Sequence, residues 1–118
     1  MTMNLRAMVD ALDLRVLCGE EHLTREVSGG YVSDMLSDVL AHGTHDCIWV
    51  TRQSHRNVIA VAALLGLAAV VLVSCPEPSS ELVSKAQAED VVLLYSKGTA
   101  FELVGQMYAL GIGGCRRA

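Results

Sequence analysis

The uninterrupted apolar run Val58–Val73, VIAVAALLGLAAVVLV, constrains this chain more than any other feature. It falls short of the ~18–20 apolar residues that one helix needs to cross a bilayer. It also changes character at Gly66. The first half is rich in Ala and Leu and suits a helix, whereas AAVVLV is β-branched and suits a strand buried on both faces. A buried helix leading into a buried strand is half of a βαβ unit, and that reading sets the fold class.

The flanking sequence repeats the alternation. Leu5, Met8, Val9 and Leu12 fall at helical spacing, with Asn4 or Thr2 as N-cap. RVLCG at 15–19 reads as a strand and EEHLTRE as a polar connection. Val27–Val32 reads as a strand with an irregular end at Gly29–Gly30. A helix over Asp34–Ala41 follows, capped by Ser33 or Asp34 and closed by Gly43. CIWVT at 47–51 is the next strand, Ser54 caps a helix over His55–Leu65, and Ala68–Val73 is a strand ending at Pro76-Glu77-Pro78. Ser79 or Ser80 starts a helix to about Ala88, and Val91–Tyr95 is a strand. Thr99 and Glu102 form a capping box for a helix over Ala100–Leu110. Gly111-Ile112-Gly113-Gly114 reads as a helix stop and tail. The expected fold is a three-layer α/β/α sandwich around a mainly parallel or mixed sheet of about five strands, with right-handed crossovers. The 118 residues are expected to form one domain over 1–118.

Charge and composition narrow the function classes. The net charge is −4 and the basic residues are scattered, so nucleic-acid binding is not expected. No secretory signal is recognised at the start, and a cytoplasmic protein with Cys18, Cys47, Cys75 and Cys115 as reduced thiols is expected. Arg116–Arg117 reads as a solvated tail. The sequence holds neither a phosphate loop of the G-x-x-x-x-G-K-[ST] type nor a G-x-G-x-x-G fingerprint, and no G-x-S-x-G elbow. His42, His45 and Cys47 have metal-type side chains, but their spacing matches no established zinc signature. No cofactor, metal or catalytic residue is therefore assigned.

In open α/β sheets, ligands bind outside the carboxyl ends of the strands. The segments following the strands here are polar or glycine-rich: Ser28-Gly29-Gly30, Thr51 to His55, Ser74 to Glu77 and Ser96 to Thr99. Each precedes a helix start, where unpaired N–H groups favour anions. The candidate ligand-binding residues are Gly29, Gly30, Asp34, Thr51, His55, Asn57, Ser74 and Thr99. Asp34 is expected to accept hydrogen bonds from ligand hydroxyls, while Thr51, His55 and Asn57 donate. The alternative for each is local capping of its own helix.

The run GGYVSDMLSDVLAHGTHDCIWVTRQSHRNVIAVAALLGLAAVVLVS, with TAFELVGQMYALGI near the end, resembles a DRTGG domain over residues 27–112. The specific parts are the GGYVSDMLSDVL block, the W-V-T-x-Q-x-H-x-N block and the T-x-FEL helix, although the eponymous pentapeptide is not present contiguously. The matching positions are Gly30, Asp34, Thr51, His55, Asn57 and Thr99, with Arg52 a weaker match. The resemblance implies a fold similar to the N-terminal domains of HPr kinase/phosphorylase and of the Mur ligases. It also implies an accessory role, often with self-association. The reading that follows is a non-catalytic regulatory or ligand-sensing module. It is expected to be a homodimer acting on a partner enzyme, with a small anionic or nucleotide-like ligand. The alternatives are a purely structural adaptor and a small enzyme.

Overall fold

The computed structural model describes residues 3–115. The chain runs β1 (Met3–Asn4), α1 (Leu5–Leu12), β2 (Arg15–Cys18), a 3-10 turn (Glu20–His22), β3 (Glu26–Val27) and β4 (Gly29–Val32). It continues through α2 (Leu36–His42), β5 (Cys47–Thr51), α3 (Arg56–Leu65), β6 (Ala69–Leu72), α4 (Ser80–Ala88), β7 (Leu93–Tyr95) and α5 (Ala100–Ala109). The main sheet has the order β2-β7-β6-β5-β4. Strands β4 to β7 are parallel, and β2 closes one edge antiparallel to β7. A separate antiparallel ribbon joins β1 to β3. The architecture is the expected α/β/α sandwich with a mixed sheet.

Strand periodicity builds the two cores. Ile48 and Val50 of β5, Ala69 and Val71 of β6 and Leu94 of β7 pack towards Leu5, Met8, Val9, Leu103 and Met107 of α1 and α5. The alternate residues Cys47, Trp49, Val70, Leu72 and Leu93 pack on the other face with Val39, Val58, Ile59, Leu82 and Ala86 of α2, α3 and α4. Strands covered on both faces need no polar alternation, which explains why β5 and β6 read as continuous apolar runs. Trp49 is fully buried, and its indole N–H donates to Ser33 O at 2.8 Å.

Capping chemistry fixes the helix ends. Asn4 accepts from Ala7 N, Ser79 from Leu82 N and Thr99 from Glu102 N. Gly66 closes α3 with φ 66°, a left-handed conformation natural to glycine. A side chain there would also collide with the His45 ring at 2.6 Å. No helix among the described residues is long and apolar enough to cross a membrane.

Several expected boundaries shift, each for a reason visible in the hydrogen bonds. The strand expected over Val27–Val32 breaks at Ser28, whose amide and hydroxyl turn to Asp46 O and His45 O. Helix α2 starts at Leu36 rather than Asp34, because Ser33 Oγ takes the Met35 amide in a tight turn and Asp34 faces elsewhere. His55, not Ser54, caps α3. β7 starts at Leu93, since Val91 N still bonds Ala86 O behind the left-handed Asp90.

The segment expected to be a free tail is docked. Gly30 N donates to Gly113 O at 2.8 Å and Cys115 N donates to Gly30 O at 2.9 Å, adding a short parallel pairing to the outer edge of β4. Cys47 and Cys115 are joined as a disulfide with Cα atoms 6.1 Å apart. The expectation of four free thiols is thereby corrected, and Cys18 and Cys75 remain free. Thr2 and Arg116–Arg117 lie outside the described residues.

Candidate functional site

The carboxyl ends of β4 to β7 bring one group of the expected residues together and exclude another. Asp34 follows β4, and its Oδ1 accepts from Thr51 Oγ1 at 2.9 Å and from Arg52 N at 2.8 Å. Thr51 Oγ1 in turn accepts the Gln53 amide at 3.1 Å. A relay of hydrogen bonds therefore ties the loop after β4 to the loop after β5. Asp34 does not cap its own helix. It remains exposed.

Thr51 is placed differently from expectation. It is 1% exposed and its hydroxyl proton is already given to Asp34. Its role is to hold the carboxylate in place rather than to donate to a ligand. His55 caps α3 by accepting the Asn57 amide on Nδ1 at 3.1 Å, which is the local-capping alternative. The Asn57 side chain stands exposed at the same helix start.

Ser74 sits after β6 in a left-handed conformation with φ 51° and is exposed. Thr99 caps α5, with Oγ1 accepting from Glu102 N at 3.2 Å and 3.3 Å from Glu102 Oε1. Both lie on the carboxyl edge, but neither bonds to Asp34 or Thr51.

Gly29 and Gly30 do not belong to this edge. In the parallel register Gly29 faces Cys47, the first residue of β5, so the glycine pair lies at the amino ends of the strands. Its purpose is packing. A Cβ on Gly29 would meet Gly114 O at 2.9 Å and Cys115 Cα at 3.1 Å, and one on Gly30 would meet the Met107 methyl at 3.2 Å.

A shallow groove of about 310 Å³ lies between the starts of α3 and α4, lined by Ser54, His55, Arg56, Ser79, Glu81, Leu82 and Lys85. Arg56 and Lys85 face one acidic residue there, a lining that suits an anion better than an apolar ligand. Residue spacing alone did not single out Arg56 or Lys85, because their proximity depends on how α3 and α4 pack.

Two further polar clusters were not anticipated. Tyr95 Oη donates to Cys75 O at 2.6 Å, and Arg15 lies over the Tyr95 ring while pairing with Glu77. Across the molecule, Asp38 accepts from Tyr31 Oη at 2.9 Å and lies 3.0 Å from His42 Nδ1. Hydrogen bonding from Ser33, then from Tyr31 and His42, holds the Asp38 carboxyl below its ordinary range. The same bond to Asp38 pushes the Tyr31 phenol up. Only the Asp38–His42 spacing on one helix face is visible in sequence.

The free thiols are not activated. Burial raises both Cys18 and Cys75, and Cys18 Sγ donates to Val91 O at 3.4 Å. Among the described residues, no group of three or more His, Cys, Asp or Glu side chains is placed to hold a metal ion.

No family model matches the sequence, and no curated protein matches it either. Among solved structures, the chain is similar to the CBS and DRTGG domains of the regulatory region of Clostridium perfringens pyrophosphatase, complexed with the activator diadenosine tetraphosphate. The TM-score is 0.71 at 14% identity. The two share a fold. The match covers 88% of this chain and 45% of that one, so this chain spans less than half of that neighbour's length. That neighbour is the regulatory region of its protein.

Proposed function

We propose that this chain is a regulatory, ligand-sensing module of the DRTGG type, without catalytic activity of its own. In this reading it self-associates as a homodimer and acts on a partner enzyme in the cytoplasm. The fold shared over 88% of the chain with a pyrophosphatase regulatory region carries the proposal. That neighbour is complexed with a dinucleotide activator, which supports a nucleotide-like anion as the ligand class.

The ligand would lie over the carboxyl edge. Arg56 and Lys85 would face its phosphates, and exposed Asn57 would donate. The exposed Asp34 carboxylate would accept from a sugar hydroxyl. Self-association has its own support: Phe101 and Tyr108 of α5 are 90% and 71% exposed beside Val32 at 50%. An exposed aromatic patch of this kind is typical of an interaction surface.

Titration calorimetry with ATP and diadenosine tetraphosphate tests the ligand reading. Saturable binding that weakens in Arg56→Ala, Lys85→Ala and Asn57→Ala is the expected result. Absence of heat with every nucleotide, together with no thermal stabilisation, would remove the sensing role and leave a structural adaptor.

A further inference from the structure

Gly29 occupies a position where the fold requires an absent side chain. It pairs with Cys47 across β4 and β5, so a Cβ at Gly29 would lie on the same sheet face as the Cys47 side chain. Cys115 takes that space: its Cα is 3.1 Å from where the Gly29 Cβ would stand. The segment is fixed in this register by the two hydrogen bonds that bracket Gly30. A vacant side-chain site, a backbone register and a sulfur pair thus coincide where residues 68 apart in sequence come together.

The two sulfurs differ in access. Cys47 is fully buried, whereas Cys115 is half-buried at the edge. We propose that Cys47–Cys115 is a reversible thiol–disulfide latch that sets whether the Gly113–Cys115 segment covers the outer edge of β4. An external thiolate attacks the Cys115 sulfur, forming a mixed disulfide and expelling the Cys47 sulfur as a thiolate that then takes a proton. A second thiol resolves the mixed disulfide. Two small thiols are oxidised to one small disulfide, and the protein disulfide is reduced to two thiols. Closure is the reverse exchange with a small-molecule disulfide such as oxidised glutathione. Once reduced, the segment is held at β4 by two backbone hydrogen bonds, and the amide of Gly30 becomes exchangeable with water.

The test is amide hydrogen exchange on the whole chain, equilibrated either with oxidised glutathione or with a phosphine reductant. Peptide mapping should join residues 47 and 115 in the first sample and find both alkylated in the second. The Gly30 and Cys115 amides should exchange roughly tenfold or more faster after reduction, as expected for a local opening. Val70 and Val73, whose amides bond Val92 O and Thr51 O in the core, should not change. Cys115→Ser should show fast exchange at Gly30 under both conditions. Four alkylatable thiols after treatment with oxidised glutathione would overturn the latch. So would equal protection of Gly30 in both samples, or equal acceleration at Val70 and Val73, which marks a global staple.

Discussion

Replacing Asp34 by alanine separates a structural role from a binding role, because the carboxylate has one face in each. Its Oδ1 takes the Thr51 hydroxyl and the Arg52 amide. The two lost bonds differ in cost. Arg52 is exposed, so water replaces the carboxylate there at well under 1 kcal/mol. Thr51 is 1% exposed, and its hydroxyl proton would have no protein partner, a penalty of about 1–3 kcal/mol. The sum is about 2 kcal/mol. With an unfolding entropy of about 2.1 cal/mol/K per residue, this lowers Tm by roughly 8 °C. Thermal and urea unfolding followed by circular dichroism measure it. Thr51→Val removes the hydroxyl that Asp34 serves, so the double variant should cost little more than Asp34→Ala alone, a coupling of about 1 kcal/mol or more. Asn57→Ala should stay within about 0.5 kcal/mol, since no fold contact depends on that side chain. Strict additivity in the cycle, or a Tm for Asp34→Ala equal to wild type, would refute the relay.

Other outcomes follow from the same geometry. Light scattering should give twice 12.6 kDa for the dimer, and Phe101→Asp with Tyr108→Asp should restore the single mass while leaving the circular dichroism spectrum unchanged. The Asp38 carboxyl is held low in the fold, so its stabilising contribution is complete above the unfolded carboxylate range and is lost as pH falls through the folded value. Acid titration of Asp38→Asn should therefore show a shallower loss than wild type. The Tyr31 phenol is pushed up, so its contribution is complete below the ordinary tyrosine range and is lost as pH rises through the raised value; Tyr31→Phe should flatten that alkaline limb. Incubation with ATP, magnesium and HPr should yield no phosphoserine, and stoichiometric transfer abolished by substitutions in this chain would contradict the regulatory reading.

The parts of the fold legible in the sequence are those that local chemistry decides. Val58–Val73 divides at Gly66 as its composition indicates, because the helix half tolerates Ala and the strand half is covered on both faces. Thr99 and Ser79 cap where expected, since an N-cap needs only residues two or three positions ahead. The start of α2 was misplaced where a side chain found a distant partner. Ser33 and Asp34 have the chemistry of caps, but Asp34 is drawn 17–18 positions away to Thr51 and Arg52, and the start of α2 moves accordingly.

The glycine pair shows the same rule operating at longer range. A strand followed by Ser-Gly-Gly suggests a backbone that approaches a ligand, and at the carboxyl end of a strand that inference would hold. Gly29 instead stands at the amino end, where the close approach is made by the chain itself, at Gly114 and Cys115. Sequence reports that a backbone must come near; only the register says whose backbone it is. The same register places Cys115 beside Cys47, so the missing Cβ and the paired sulfurs are two consequences of one docking event. It follows that Gly29→Ala should loosen the segment as reduction does: the added methyl must displace Gly114 O from 2.9 Å, and the Gly30 amide should then lose protection even with the disulfide formed.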